Sequence, residues 1–272
     1  MLELVNVSTK GRIEQVNLLL TQGQYWHLLG PNGSGKSSLM SILAGILSTD
    51  DGQVILNEQL LDSQALPLLA RQRCFLQQQQ ISSFDIPLQQ LLEFYTQQSR
   101  LPEELELCLN LNTLLSKPLS TLSGGQQQRF NIARCLMQVW PNIQAGRALI
   151  LLDEPCQQLD INYQFQLLNL LGRFSACGNL VIVTSHDINQ SYRHASHVAL
   201  LKNNVIHAHG IAREVLSMDN LENVFEHRFI EISTVSDVLS APELLHASEQ
   251  AFMNSKGLEK TFVSATNQAP FP

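Results

Sequence analysis

Apolar residues recur along the chain in two rhythms. Short runs of four or five, bounded by turn-forming residues, alternate with longer stretches in which they fall three and four residues apart. The first rhythm predicts strands and the second predicts helices. Leu2–Val5 and Ile13–Leu20 read as strands, closed by a turn at Gln22-Gly23, and Tyr25–Leu29 reads as a short buried strand. Ser37–Leu47 reads as a helix with Leu39, Ile42 and Leu43 on one side. Gly52–Asn57 is a turn feeding a strand, and Arg73–Gln78 predicts one more. From about residue 81 to 141 the pattern becomes helical. Leu88, Leu91, Leu92 and Tyr95 lie at i, i+3, i+4, i+7, with Asp85 as a candidate cap and Pro87 tolerated in the first turn. Pro102–Leu115 predicts a second helix. A third runs from Gly124 to about Trp140, with Phe130, Ala133 and Met137 on one stripe and Ile132, Leu136 and Val139 on another.

The strand rhythm returns at Ala148–Leu152, a continuous apolar run suited to a central parallel strand. A helix follows, with Ile161, Phe165 and Leu168 spaced for one face. Then come a strand over Leu180–Thr184, a helix from about Asp187, and strands near His197–Leu201 and Val205–His209. The class is α/β, with a mostly helical insertion between two α/β halves. Past Phe229 no motif stands out. Ala241–Phe252 fits a helix with Ser240 as its cap, and Asn254–Pro272 is polar and expected to be mobile. The chain divides into a main domain over residues 1–228 and an extension over 229–272, expected to be partly disordered.

Composition narrows this little. At 272 residues, 44% hydrophobic and 15% charged, the chain can bury a sizeable core. A net charge of −7 without any Lys/Arg run argues against nucleic acid as a partner. No apolar run approaches the roughly 20 residues of a membrane span. Met1-Leu2-Glu3-Leu4 lacks the regions of a signal peptide. A cytosolic chain is expected, reaching a membrane only through a partner. The five cysteines form no C-x-x-C pair and read as reduced thiols.

Chemistry enters at Gly30-Pro31-Asn32-Gly33-Ser34-Gly35-Lys36-Ser37-Ser38, which fits the phosphate-loop pattern G-x-x-x-x-G-K-S/T between a strand and a helix. The first turn of the helix offers unpaired N–H groups and the positive end of a dipole to a triphosphate. Lys36 adds a point charge, and the Ser37 hydroxyl suits Mg²⁺. Asp153 and Glu154 end the Ala148–Leu152 strand, at the edge where open α/β sheets bind ligands. Asp153 is placed for Mg²⁺, and Glu154 for accepting a proton from an attacking water. Leu122-Ser123-Gly124-Gly125-Gln126-Gln127-Gln128-Arg129 opens another helix with an anion-ready N-terminus. One nucleotide needs only one such cradle from a chain. A dimer is therefore expected, each ATP gripped by the phosphate loop of one copy and this turn of the other.

In this order the three stretches resemble the ATPase subunits of ATP-binding cassette (ABC) transporters, over about residues 1–228. The resemblance implies a P-loop NTPase (RecA-like) core with an antiparallel β subdomain and an inserted α-helical signature subdomain at about 81–141. It implies ATP and Mg²⁺ as cofactors and a head-to-tail homodimer. It implies two transmembrane permease subunits and, indirectly, a periplasmic substrate-binding protein. The chain would lie peripherally on the cytoplasmic face of the inner membrane. Gln78 matches the loop glutamine that touches Mg²⁺ and water. Asp160 matches the loop that crosses the dimer interface, and His186 the switch histidine on the γ-phosphate. Glu154, His186 and Gln78 are the expected catalytic residues. Within the family, Gln138–Arg147, Gln78-Gln79-Gln80 and Ser185–Asn189 are most similar to ATPases of vitamin B12 (cobalamin) importers. Haem and ferric-siderophore importers stand next.

The sequence departs from the family at two places. No aromatic residue precedes the phosphate loop between Met1 and Gln24, so adenine stacking is weakened or supplied elsewhere. Tyr25 and Trp26 belong to a strand and are expected in the core. Bulky Gln158 precedes Leu159-Asp160 where small residues are common. A soluble ABC protein of DNA repair or translation is disfavoured, because the chain has neither a long coiled coil nor a second cassette. A binding module without turnover is disfavoured by Glu154 and His186.

Overall fold

The computed structural model describes residues 1–77, 85–96, 100–234 and 259–264. In chain order the first elements are β1 (Leu2–Thr9), β2 (Ile13–Leu20), β3 (Tyr25–Leu29), α1 (Lys36–Leu43), β4 (Asp51–Leu56), β5 (Gln59–Leu60), α2 (Leu66–Gln72) and β6 (Arg73–Leu76). A helical stretch follows, with α3 (Leu88–Thr96), α4 (Glu103–Leu109), α5 (Gly124–Gln138) and α6 (Trp140–Gln144). The chain then runs through β7 (Leu149–Leu152), α7 (Ile161–Ala176), β8 (Leu180–Thr184), α8 (Ile188–His194), β9 (His197–Lys202), β10 (Val205–Ile211), α9 (Ala212–Val215), α10 (Met218–Phe225), β11 (Phe229–Thr234) and β12 (Glu259–Ser264).

Two sheets carry the fold. An antiparallel one has the order β2-β1-β4-β5. The central one has the order β10-β9-β3-β8-β7-β6, parallel except for the β9–β10 hairpin at one edge. Successive side chains of a strand point to opposite faces, so strands covered on both sides must be apolar throughout. Tyr25, Ile150, Leu152, Val181 and Val183 pack under the helical layer of α3, α5 and α7. Trp26, Leu28, Leu149, Leu151, Leu180 and Ile182 pack on the other face against α1 and the antiparallel sheet. Tyr25 and Trp26 are both 2% exposed, core residues as expected. The parallel strands β3, β7 and β8 end at one edge, which brings the loops after them together.

Several expectations are corrected. The first helix is Lys36–Leu43, not Ser37–Leu47, because Gly45 turns left-handed (φ 64°) just beyond it. The stretch Pro102–Leu115 splits after α4 at Asn110 (φ 47°), and the Glu106 carboxylate accepts the freed N–H groups of Leu111 and Asn112. Asp85 does not cap α3. It accepts from the Ser120 hydroxyl at 2.7 Å, and the first N–H groups of α3 go to the carbonyls of Lys117 and Leu115. In α7 the buried face is Leu167, Leu168, Leu170, Leu171 and Phe174. Ile161 and Phe165 are 82% and 60% exposed, so only Leu168 of the expected trio reaches the core. Tyr95 is also outside the core at 44% exposed, covered by the Arg134 guanidinium 4.4 Å from its ring centroid. Residues 259–264 form a strand where mobility was expected. β12 pairs antiparallel with β11, and Phe262 is buried beside Tyr192 of α8. The expected helix over 241–252 lies outside the described residues. No described helix is long and apolar enough to cross a membrane.

Candidate functional site

The loop after β3 is wrapped by necessity. A Cβ on Gly30 (φ 152°) would come within 2.2 Å of the Leu201 carbonyl oxygen. One on Gly35 (φ 100°) would come within 2.7 Å of the Arg12 carbonyl. Only glycine fits both the dihedrals and the close approach. Gly35 is the N-cap of α1, so the free N–H groups of the first turn face the loop. Lys36 folds back and donates to the carbonyls of Gly30 (2.8 Å) and Pro31 (3.0 Å). Burial pushes its pKa down, partly offset by the carboxylates of Glu154 and Asp153.

These residues line an open cleft of about 580 Å³. It is lined by Asn32, Gly33, Ser34, Gly35, Lys36, Ser37 and Ser38 of the loop and first turn, by Glu154, Gln157 and His186, and by Gly11, Arg12 and Asn204. Thr184, at the end of β8, organises the acidic pair. Its hydroxyl donates to Asp153 Oδ1 at 2.6 Å and accepts from the Glu154 N–H at 2.7 Å. Asp153 is 2% exposed, and its own N–H is tied to the Leu76 carbonyl. Glu154 adopts φ 49° and meets His186 Nε2 through Oε1 at 2.5 Å. The described residues hold no group of three His, Cys, Asp or Glu suited to a metal. A hydroxyl and one buried carboxylate beside a phosphate cradle suit Mg²⁺, which is commonly bound through one or two carboxylates and substrate phosphates.

The Ser123 turn stands apart. Neither Ser123, Gly124, Gly125 and Gln126 nor Asp160 line the cleft of their own chain. Ser123 and Gln126 form a capping box at the start of α5. Gly124 and Gly125 sit against Gln158, whose carbonyl would be 2.7 Å from a Cβ on Gly125. The residues after them are tied within the chain. Gln128 donates to the Pro155 carbonyl, and Arg129 donates to the carbonyls of Leu109 and Asn110 while lying over the Tyr163 ring. Asp160 caps α7 through the Tyr163 N–H. Gln78 lies outside the described residues.

Sequence reading missed five contributors, Gly11 among them. Thr184 is visible only as the last residue of a strand. Arg12 and Asn204 come from two turns remote in sequence, and Gln157 lacks any motif of its own.

A glycine loop at the end of a parallel strand, with a buried aspartate and a glutamate at the end of the next strand but one in the same sheet, defines a P-loop NTPase core. The sequence profile of the ABC transporter family matches residues 13–157. The chain belongs to the ATP-binding proteins of that family. It is 33% identical over 233 residues to the vitamin B12 import ATP-binding protein BtuD of Photobacterium profundum, covering 82% of this chain and 92% of that one. It is 36% identical over 236 residues to the BtuD of Yersinia pestis, covering 84% and 93%. Its fold matches a metal-chelate type ABC transporter in an inward-facing conformation, with TM-score 0.73 and 23% identity over 98% of both chains. It also matches the dimeric ATP-binding cassette MJ0796 bound to ADP and Pi, with TM-score 0.64 and 26% identity over 78% of this chain and 99% of that one.

Proposed function

We propose that this chain is the ATP-hydrolysing subunit of an importer that takes vitamin B12 across a bacterial inner membrane. The observation that carries ATP hydrolysis is the convergence of the phosphate loop, Glu154 and His186 on one cleft. The cargo reading rests on relatives named for vitamin B12 import at 33–36% identity over more than four fifths of the chain.

The amides of Gly33–Ser38 and the Lys36 ammonium hold the β- and γ-phosphates. Arg12 and Asn204 line the part of the cleft where the base rests in the absence of an upstream aromatic. Ser37 and Asp153, with Gln78 as the family resemblance implies, would hold Mg²⁺, whose positive charge would offset that of the phosphates. Glu154 polarises the attacking water, and His186 hydrogen-bonds the γ-phosphate. Ser123 and Gly125 of a second copy, assisted by Gly124 and Gln126, complete the site on closure, and Asp160 crosses the interface. Their position outside the cleft of their own chain supports this division of labour. The closing motion drives two permease subunits at the cytoplasmic face, which a periplasmic binding protein supplies. Residues 1–228 form the nucleotide-binding domain, and 229–272 a C-terminal extension.

The test is uptake of labelled cobalamin by cells lacking their own B12-importer ATPase, supplied with this chain or with Glu154→Gln. Rescue by the first alone supports both cargo and hydrolysis. Failure of both, with the chain assembled on its own permease, overturns the cargo reading in favour of haem or ferric-siderophore import.

A further inference from the structure

Behind Glu154 lies a second chamber, of about 260 Å³, bounded among others by His27, Gln164, His186, Asp187 and Gln190. Glu154 and His186 line both this chamber and the cleft in front. His27 is the third residue of β3, the strand that delivers the phosphate loop, and it is 0% exposed. No step of the proposed hydrolysis uses it.

Its protonation follows from its neighbours. The Ser191 hydroxyl, also fully buried, donates its single proton to the Asp187 carbonyl at 2.8 Å. With that proton assigned to the carbonyl, the 2.8 Å contact with His27 Nδ1 has Ser191 Oγ as acceptor and Nδ1–H as donor. Burial pushes the His27 pKa down to about 3, so the ring is neutral and Nε2 carries a lone pair. Among the described residues Nε2 has no hydrogen-bond partner. A buried acceptor left bare costs about 1–3 kcal/mol.

The second half of the network runs toward the interface loop. Asp187 caps α8 through the Gln190 N–H. The Gln190 amide donates to Gln164 Oε1 at 2.8 Å, and the Gln164 amide donates to the Leu159 carbonyl at 2.9 Å. Asp187 directly follows His186, and Leu159 directly precedes Asp160.

We propose that His27 is a positioning residue for the His186–Glu154 pair: its Nδ1–H fixes Ser191 and so the Asp187 turn that follows His186. One strand then sets both the phosphate loop and the switch histidine. The inference rests on the ATPase reading for its kinetic consequence and on hydrogen-bond geometry and burial for its tautomer.

The experiment compares steady-state ATPase of the full chain with His27→Leu, His27→Asn and Ser191→Ala. Asparagine places an amide donor near the Nδ1 position and leucine does not. His27→Leu and Ser191→Ala are expected to lower kcat on the order of tenfold with KM within about twofold, because misplacement affects chemistry more than phosphate binding. His27→Asn should recover most of kcat, and each variant should still bind one nucleotide per chain. Unchanged kcat in His27→Leu, parallel loss of kcat and binding stoichiometry, or an asparagine no better than leucine would overturn the inference. A wild-type chain without ATPase activity would instead overturn the functional reading. In that case ¹⁵N-histidine NMR still decides the tautomer. A persistent Nδ1–H form is expected, and an Nε2–H form would sink the proposal.

Discussion

His186 Nε2 lies 2.5 Å from Glu154 Oε1, joining an imidazole whose side chain is 46% exposed to a carboxylate only 10% exposed. The pair separates the nucleotide cleft from the chamber behind it, and the Thr184 hydroxyl fixes the backbone of Glu154 from below. A carboxylate so placed is oriented before substrate arrives. Glu154→Gln keeps the shape and removes the carboxylate proposed as the base. Turnover is expected to fall on the order of a hundredfold or more. ATP binding should survive, and the chain should accumulate as a dimer in light scattering. Near-normal turnover would remove Glu154 from that role.

Lys36 is the cation of the phosphate loop, held against the Gly30 and Pro31 carbonyls until phosphate competes for it. Lys36→Ala should weaken MgATP binding by on the order of tenfold or more, since a charge-assisted contact to phosphate is lost. Isothermal titration measures this directly, and unchanged affinity would contradict it.

Gly125 tests whether the Ser123 turn acts across an interface. A Cβ there would meet the Gln158 carbonyl at 2.7 Å, a backbone atom that cannot swing aside. Gly125→Ala should displace the Ser123 turn or the Gln158–Asp160 loop. ATP-induced dimerisation should be lost in the Glu154→Gln background, with monomer affinity for ATP kept within about twofold. A variant that still dimerises would argue against the shared site.

Stability should depend on pH through His27. Burial holds its folded pKa at about 3, whereas the unfolded ring titrates near 6.5. Between those values the unfolded chain binds the proton that the folded chain refuses. The stability of the neutral form is therefore fully present above about pH 6.5 and declines as pH falls toward about 3. The loss approaches about 1.4 kcal/mol per unit. Thermal melts from about pH 7.5 to 4.5 should be steeper for wild type than for His27→Leu, because only the wild type carries this group. Parallel curves would contradict the assignment.

The two faces of α7 make a stability test. Leu168→Ala, at a site 3% exposed, should cost about 2–5 kcal/mol. Phe165→Ser, at 60% exposed, should change stability by about 0.5 kcal/mol or less. Equal effects in urea melts would contradict this orientation, and reversed effects would mean that the helix packs the other way round.

The local chemistry was legible in the sequence. A glycine loop with Lys36 and Ser37, an acidic strand end at Asp153-Glu154, and a serine-glycine helix start at Ser123 each depend on residues adjacent in the chain. Their geometry follows from backbone sterics and helix-end hydrogen bonding alone. The continuous apolar runs of β3, β7 and β8 announced buried strands for the same reason, since a strand covered on both faces has no polar side. Other features depend on what lies opposite in space. The apolar spacing of Ile161, Phe165 and Leu168 satisfies helical periodicity. Which stripe of α7 faces inward is set by the sheet it packs on, and the sheet selects Leu167, Leu168 and Leu171. Asp85 fits a cap by spacing, but the Lys117 and Leu115 carbonyls reach the end of α3 first. Arg12, Asn204 and Thr184 reach the site from turns and a strand end far apart in sequence. His27 is one histidine in an apolar run until Ser191 and Asp187 define its tautomer. Sequence determined the elements and the phosphate chemistry because both are local. Tertiary structure decided which faces are buried and which distant side chains meet at Glu154, because those depend on long-range packing.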